Sequence, residues 1–117
     1  MTDVLDALHR TLEQRKSAST DSSYVASLHA KGLNKILEKV AEEAAETLLA
    51  AKDYQGGKEE RASLIGEVAD LWFHTMVMLS HLELSHEDVM KVLEARFGLS
   101  GLVEKAGRDQ QKSPSTP

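Results

Sequence analysis

Two short acidic runs, Glu42-Glu43-Ala44-Ala45-Glu46 and Glu67-Val68-Ala69-Asp70, hold the residues of this 117-residue chain best placed to do chemistry. Spacings of three and four return side chains to one helix face, and Glu42, Glu43 and Glu46 fall within an arc of about 100°. Ile36, Val40, Ala44 and Leu48 fill the adjoining arc, with Glu43 at its border. Glu67 and Asp70 repeat the i, i+3 spacing, and His74 follows Asp70 by one turn. Glu67 lies between the directions of Leu64, Leu71 and Met78 on one side and His74 and Val77 on the other. These two carboxylates therefore sit on a stretch with little polar face. A buried carboxylate needs a partner, and basic residues nearby on the same helix are few.

If the two acidic faces meet, Glu43, Glu46, Glu67 and Asp70 converge. Like charges about 4 Å apart repel by on the order of 4 kcal/mol at an effective dielectric of 20. Such a cluster must protonate, spread apart or bind a cation. All-oxygen ligation suits a hard ion, Mg²⁺ first and Mn²⁺ as the substitute, and Mg²⁺ takes phosphate oxygens as further ligands. The chemistry that follows is hydrolysis of a phosphate-bearing substrate, with Glu42 by position a candidate to take the proton from water. Lys31, Lys35 and Lys39 run along the approach to the cluster, and Lys35 and Lys39 share a face. A plainer reading stands beside this one. Lys39 is three before Glu42 and four before Glu43, the spacing of simple surface ion pairs, and the lysines serve solubility equally well. Glu38, Glu59, Glu60 and Glu83 read as solvated surface acids.

The elements that position these residues are helices. Both prolines lie in the last four residues, aromatics make up 4% of the chain, and strong helix formers dominate the rest. An all-α bundle of about five helices is expected. The first runs from Asp3 to Lys16. Ser22 or Ser23 caps a short second helix through Lys31, stopped by Gly32. The third runs from Leu33 to Asp53 and the fourth from Glu59 to Leu82. Ser85-His86-Glu87-Asp88 forms a capping box with Asp in place of the usual Glu or Gln, opening a fifth helix that ends near Gly98. The fourth helix is apolar nearly all round, with Trp72 and Ile65 on one side and Phe73 and Val77 on another. Such a helix is buried on all sides, which in a small chain predicts a homodimer. One domain, 1–108, is expected, with a disordered polar tail over 109–117.

A formal charge of −5 argues against a nucleic-acid partner, and no apolar run spans a membrane. With no cysteine there is no disulfide framework and no thiolate zinc site. Lacking a signal-like start, the chain is expected in the cytoplasm.

The two acidic runs resemble the EExxE and ExxD motifs of the all-α nucleoside triphosphate pyrophosphohydrolases, the MazG-like superfamily. Ser23-Tyr24, Lys31-Gly32-Leu33-Asn34-Lys35-Ile36 and the run from Lys39 to Glu46 are similar to those of the phosphoribosyl-ATP pyrophosphatase family. So are Glu67-Val68-Ala69-Asp70-Leu71-Trp72-Phe73-His74, with Phe73 where Tyr is common, and the ending Ser100-Gly101-Leu102-Val103-Glu104-Lys105-Ala106-Gly107-Arg108. The resemblance spans roughly residues 3 to 108. It implies Mg²⁺-dependent hydrolysis of phosphoribosyl-ATP to phosphoribosyl-AMP and pyrophosphate, the second step of histidine biosynthesis, by a helical dimer. It further implies Glu43, Glu46, Glu67 and Asp70 as metal ligands, with Glu42 outside the first shell or on a second ion. Lys35, Lys39, His74, Lys105 and Arg108 match family positions and are expected to bind substrate. His9, His29, His81 and His86 match nothing that assigns them a role, and His81 reads as a helix-end polar residue.

Two other readings remain open. A housekeeping pyrophosphohydrolase acting on free nucleotides shares the acidic motif. A non-catalytic helical dimerisation module would show no Mg²⁺ dependence and no loss of function in Glu46→Gln or Asp70→Asn.

Overall fold

The computed structural model describes residues 3–98, and they form five helices: α1 (Asp3–Arg15), α2 (Tyr24–Lys31), α3 (Leu33–Gln55), α4 (Arg61–His81) and α5 (His86–Phe97). Among the described residues there is no strand, so the all-α expectation holds. The expected tail over 109–117, and Lys105 and Arg108 with it, lie outside the described residues.

Local chemistry sets the helix ends. Ser23 has an extended backbone, and its hydroxyl accepts the Ala26 N–H at 3.1 Å, opening α2. Gly32 closes α2 at φ +99°, a region that side chains avoid, and its own N–H returns to Leu28 O. The direction of the chain changes there without a loop, and α3 starts at the next residue. α3 outlasts the expected end at Asp53 because Tyr54 and Gln55 still accept helical geometry. The stop comes at Gly56 and at Gly57, whose φ is +80°. Glu60 is extended at φ −82°, ψ 154°, and α4 begins two residues later than expected. The short link from Gly56 to Glu60 folds α4 back on α3, and this pairing is the most extensive between any two elements.

Two compact units divide at Leu84 and Ser85. In the first, Leu12, Val25, Leu28, Ile36, Met76 and Val77 form the core, with Leu5, Leu8, Phe73 and Met78 packed against it. Each fully buried aliphatic side chain, such as Leu28 or Ile36, contributes about 1.5–3 kcal/mol. α1 to α4 all supply residues to this core, which fixes the rotation of α3 and α4 about their axes. The second unit carries α5. Its capping box is the one expected from the sequence: Ser85 Oγ accepts from Glu87 N–H at 3.1 Å, and Asp88 Oδ2 accepts from Ser85 N–H at 3.0 Å. Gly98, in the left-handed conformation, ends it.

The fourth helix is buried on one side only. His74, Met76 and Val77 are inside, while Ile65 and Trp72 are more than half exposed.

Candidate metal and phosphate site

The α3–α4 pairing brings the two acidic runs together. One carboxylate oxygen from each of Glu43, Glu46 and Glu67 lies within 4.8 Å of the other two. Thr47 locks this register. Its Oγ1 is 2.9 Å from Glu43 O on its own helix and 3.2 Å from Glu67 O across the interface, so one hydroxyl proton is shared between two carbonyls. Nothing in the spacing of acids marks Thr47. A hydroxyl in the middle of an otherwise alanine- and leucine-rich helix is the only signal that points to it.

Burial follows the sequence expectation for Glu43, which borders the apolar arc and is buried, while Glu46 is exposed and Glu67 intermediate. Burial pushes the Glu43 carboxyl above its ordinary pKa, and the charges of Glu46 and Asp70 push it further. Glu67 is raised for the same reasons: burial first, then the charge and hydrogen bond of Glu46, then Glu43 and Asp70. Asp70 thus acts on both from outside the tight trio, through its charge. Glu43 Oε1 and Glu67 Oε1 have no hydrogen-bond partner.

Among the described residues, the cationic side is built by α3. Lys39 Nζ is 2.8 Å from Glu42 Oε1 and 4.0 Å from Glu43 Oε2, and Lys35 Nζ is 3.3 Å from Glu38 Oε1. The Lys39 spacings are the surface-pair spacings anticipated from the sequence, whereas the Lys35–Glu38 pair was not anticipated. The Lys39 hydrogen bond lowers the Glu42 pKa and raises that of Lys39. Lys35, Glu38, Lys39, Ala41 and Glu42 line an open concavity beside the acidic trio.

His74 stands on the α4 side, 6% exposed. Its Nδ1 is 2.9 Å from Asp70 O, an acceptor only, so in the neutral ring Nδ1 carries the proton. Nε2 is left to accept the Tyr24 hydroxyl at 2.8 Å. Both ring nitrogens are therefore engaged within the protein. Tyr24 belongs to the run that carries the family resemblance, but its place beside His74 depends on a contact between residues 50 apart.

The donor set fits a hard cation: three convergent carboxylates, two of them with an oxygen left without a partner, and no sulfur or imidazole in the trio. Two acidic turns on paired helices with lysines at the rim are an arrangement for phosphate chemistry. The sequence carries the same signature at larger scale. A family profile described as phosphoribosyl-ATP pyrophosphohydrolase matches residues 5–97, which include the acidic runs, Tyr24, Lys35, Lys39 and His74. The chain belongs to the phosphoribosyl-ATP pyrophosphohydrolase family, hydrolases acting on phosphoric anhydrides.

Proposed function

We propose that this chain hydrolyses phosphoribosyl-ATP to phosphoribosyl-AMP and pyrophosphate in histidine biosynthesis, with Mg²⁺, or Mn²⁺ in its place, held by Glu43, Glu46, Glu67 and Asp70. The observation that carries the metal reading is the pair of unpartnered oxygens, Glu43 Oε1 and Glu67 Oε1, inside a cluster of like charge. Leaving a buried acceptor without a donor costs about 1–3 kcal/mol, and repulsion adds to it. A bound cation relieves both. When bound, Mg²⁺ supplies charge to the developing pyrophosphate and lowers the pKa of water.

The remaining work falls to the chain's own side chains. Lys35 and Lys39 offer point charges to the phosphates. Drawing the Lys39 ammonium toward a phosphate breaks its 2.8 Å bond to Glu42 and frees that carboxylate to take a proton from the attacking water. Glu43 and Glu46 share the catalytic face with it. Lys105 and Arg108 are proposed as further phosphate contacts on the basis of the motif match alone. A second copy of the chain is proposed to cover Leu48, Leu49, Ile65 and Trp72, each more than half exposed on α3 and α4. Sedimentation equilibrium of the full chain, with Leu49→Glu as comparison, tests this: a monomeric parent sinks the dimer.

The decisive assay is pyrophosphate release with Mg²⁺, offering phosphoribosyl-ATP and dATP in parallel, with Glu46→Gln as control. Turnover of phosphoribosyl-ATP alone, lost in the variant, is expected. Preference for dATP would make the chain a housekeeping pyrophosphohydrolase on the same acidic site. No release from either substrate would reduce the acidic cluster to a structural feature.

A further inference from the structure

His74 has no ring nitrogen free for a ligand and little surface to offer one. What it holds is Tyr24. The phenol is fixed at three points: its hydroxyl on His74 Nε2 at 2.8 Å, its ring near-parallel to Phe73 at 18° with centroids 6.4 Å apart, and its backbone directly after the Ser23 cap. His74 also meets the ring edge-on, with centroids 5.8 Å apart. Yet 51% of Tyr24 is exposed. Through His74, which also meets the Asp70 carbonyl at 2.9 Å, the phenol is tied to the acidic turn of α4, and Tyr24 lies near Lys39. A rigid aromatic ring thus stands open beside the lysine and carboxylates of the phosphate site.

The hydroxyl proton is committed to His74, so toward solvent the phenol oxygen presents lone pairs, which a phosphate oxygen would repel. The ring face remains available. A face fixed in advance binds a flat heterocycle without the entropy cost of ordering the side chain, and bases stack on such faces whatever their hydrogen-bonding edges. We infer that Tyr24 is the adenine contact of this site, stacking on the base while Lys35 and Lys39 take the phosphates. This rests on the proposed nucleotide substrate and extends it to base recognition.

Calorimetric binding of ATP and of inorganic tripolyphosphate to the full chain, both with Mg²⁺, separates the base from the phosphates. In Tyr24→Leu, ATP binding should weaken on the order of 10- to 100-fold while tripolyphosphate binding stays within about twofold. Tyr24→Phe and Tyr24→Trp, which keep a ring, should retain most of the ATP affinity. With phosphoribosyl-ATP, Tyr24→Leu should raise KM by a similar factor and leave kcat near the parent value. Tyr24→Gln replaces Tyr24→Leu if circular dichroism finds the latter unfolded. The inference is overturned if both ligands weaken equally, if ATP binding is unchanged, if Tyr24→Phe behaves as Tyr24→Leu does, or if the parent binds ATP no better than tripolyphosphate. A parent that binds ATP in this Tyr24-dependent way but does not turn over phosphoribosyl-ATP would sink the catalytic reading and leave the adenine contact standing.

Discussion

Glu13 and Glu43 are both carboxylates packed against the same core unit, and they are treated in opposite ways. The side chain of Glu13 is 40% exposed and well partnered: Ser80 donates to it at 2.7 Å and Lys16 lies 3.1 Å away. Its pKa falls below the ordinary value, chiefly through the Ser80 hydrogen bond. The side chain of Glu43 is only 10% exposed, one oxygen has no partner, and its pKa rises. Folding alone favours the reverse, with partners supplied where water is scarce. The Glu13 region is arranged for stability and the Glu43 region against it. The second arrangement is sustained if something outside the chain completes it.

The strongest way to break that contrast is at the carboxylates themselves. Glu46→Gln and Glu67→Gln should each lower turnover of phosphoribosyl-ATP by about 100-fold or more, because charge placed at the reacting phosphates is among the largest catalytic contributions. Neither change should lower Tm in metal-free buffer, since each removes a repulsive charge. A variant that loses activity and stability together would mean the cluster is structural.

Next in size is the response to Mg²⁺. A carboxylate whose native pKa is raised above the unfolded value near 4.5 leaves the native state unpenalised below that value. The penalty grows as pH rises through the raised native pKa. The metal-free protein should therefore lose stability from these two groups as pH rises from about 4.5 through their raised native values. A cation should restore it, by about 2.7 kcal/mol at a hundred times its dissociation constant. Thermal melts with and without Mg²⁺ should show a larger shift at pH 8 than at pH 5, and Glu46→Gln should shrink it. An equal shift at both pH values would argue against binding at Glu43 and Glu67.

The Glu13 side of the comparison gives a smaller, purely structural effect. Ser80 is fully buried, and Glu13→Ala leaves its hydroxyl without this acceptor, at a cost of about 1 kcal/mol. Because the native pKa of Glu13 is lowered, its contribution is present above the unfolded value and lost as pH falls through the native one. Denaturant unfolding at pH 7 should detect the loss, and kcat should not change. Altered catalysis in Glu13→Ala would erase the division between the two regions.

The parts of this molecule visible in sequence are those written in local spacing. The Ser23 and Ser85 caps, the Gly32 and Gly98 stops and the acidic faces of α3 and α4 all depend on residues within about one turn of each other. Glu43 was legible as a border residue because Ile36 and Val40 define the buried arc on the same helix. The Lys39–Glu42 pair was legible for the same reason. What spacing hides is contact across helices. Thr47 bridges to a carbonyl 20 residues away, Tyr24 to a histidine 50 away, and His29 to His81, 52 away. His74 is one such case: its match to a family position points to substrate binding, and only the folded chain places its nitrogens beside Asp70 O and the Tyr24 hydroxyl. The end of α3 was misjudged by two residues because Tyr54-Gln55 resembles a break, while the conformational requirement falls on Gly57.

The smallest effect belongs to the His29–His81 pair, which ties the end of α2 to the end of α4 near Glu13 and Lys16. The two Nδ1 atoms are 2.9 Å apart, so one donates and the other accepts. The rings stack at 19° with centroids 5.1 Å apart, and His29 Nε2 is buried without a partner. Two imidazolium rings cannot both keep this contact, because each Nδ1 would then carry a proton. Burial first, then the charges of His81 and Lys16, lower the His29 pKa, with Glu13 opposing them. A histidine whose native pKa lies below its unfolded value of about 6.5 costs nothing above that pH. It withdraws stability as pH falls from 6.5 through the native value, where the unfolded chain binds the extra proton. His29→Gln should flatten the fall in Tm between pH 7 and 5 by about 2 °C relative to the parent in the same buffers, and Glu13→Ala should steepen it by removing the opposing charge. Taking differences between variants cancels the opposite drift from Glu43 and Glu67, which are distant from this pair in the chain and share no partner with it. If His29→Gln and parent track each other over that range, the pair is a neutral packing contact and the Glu13 end of the bundle has no acid-sensitive element.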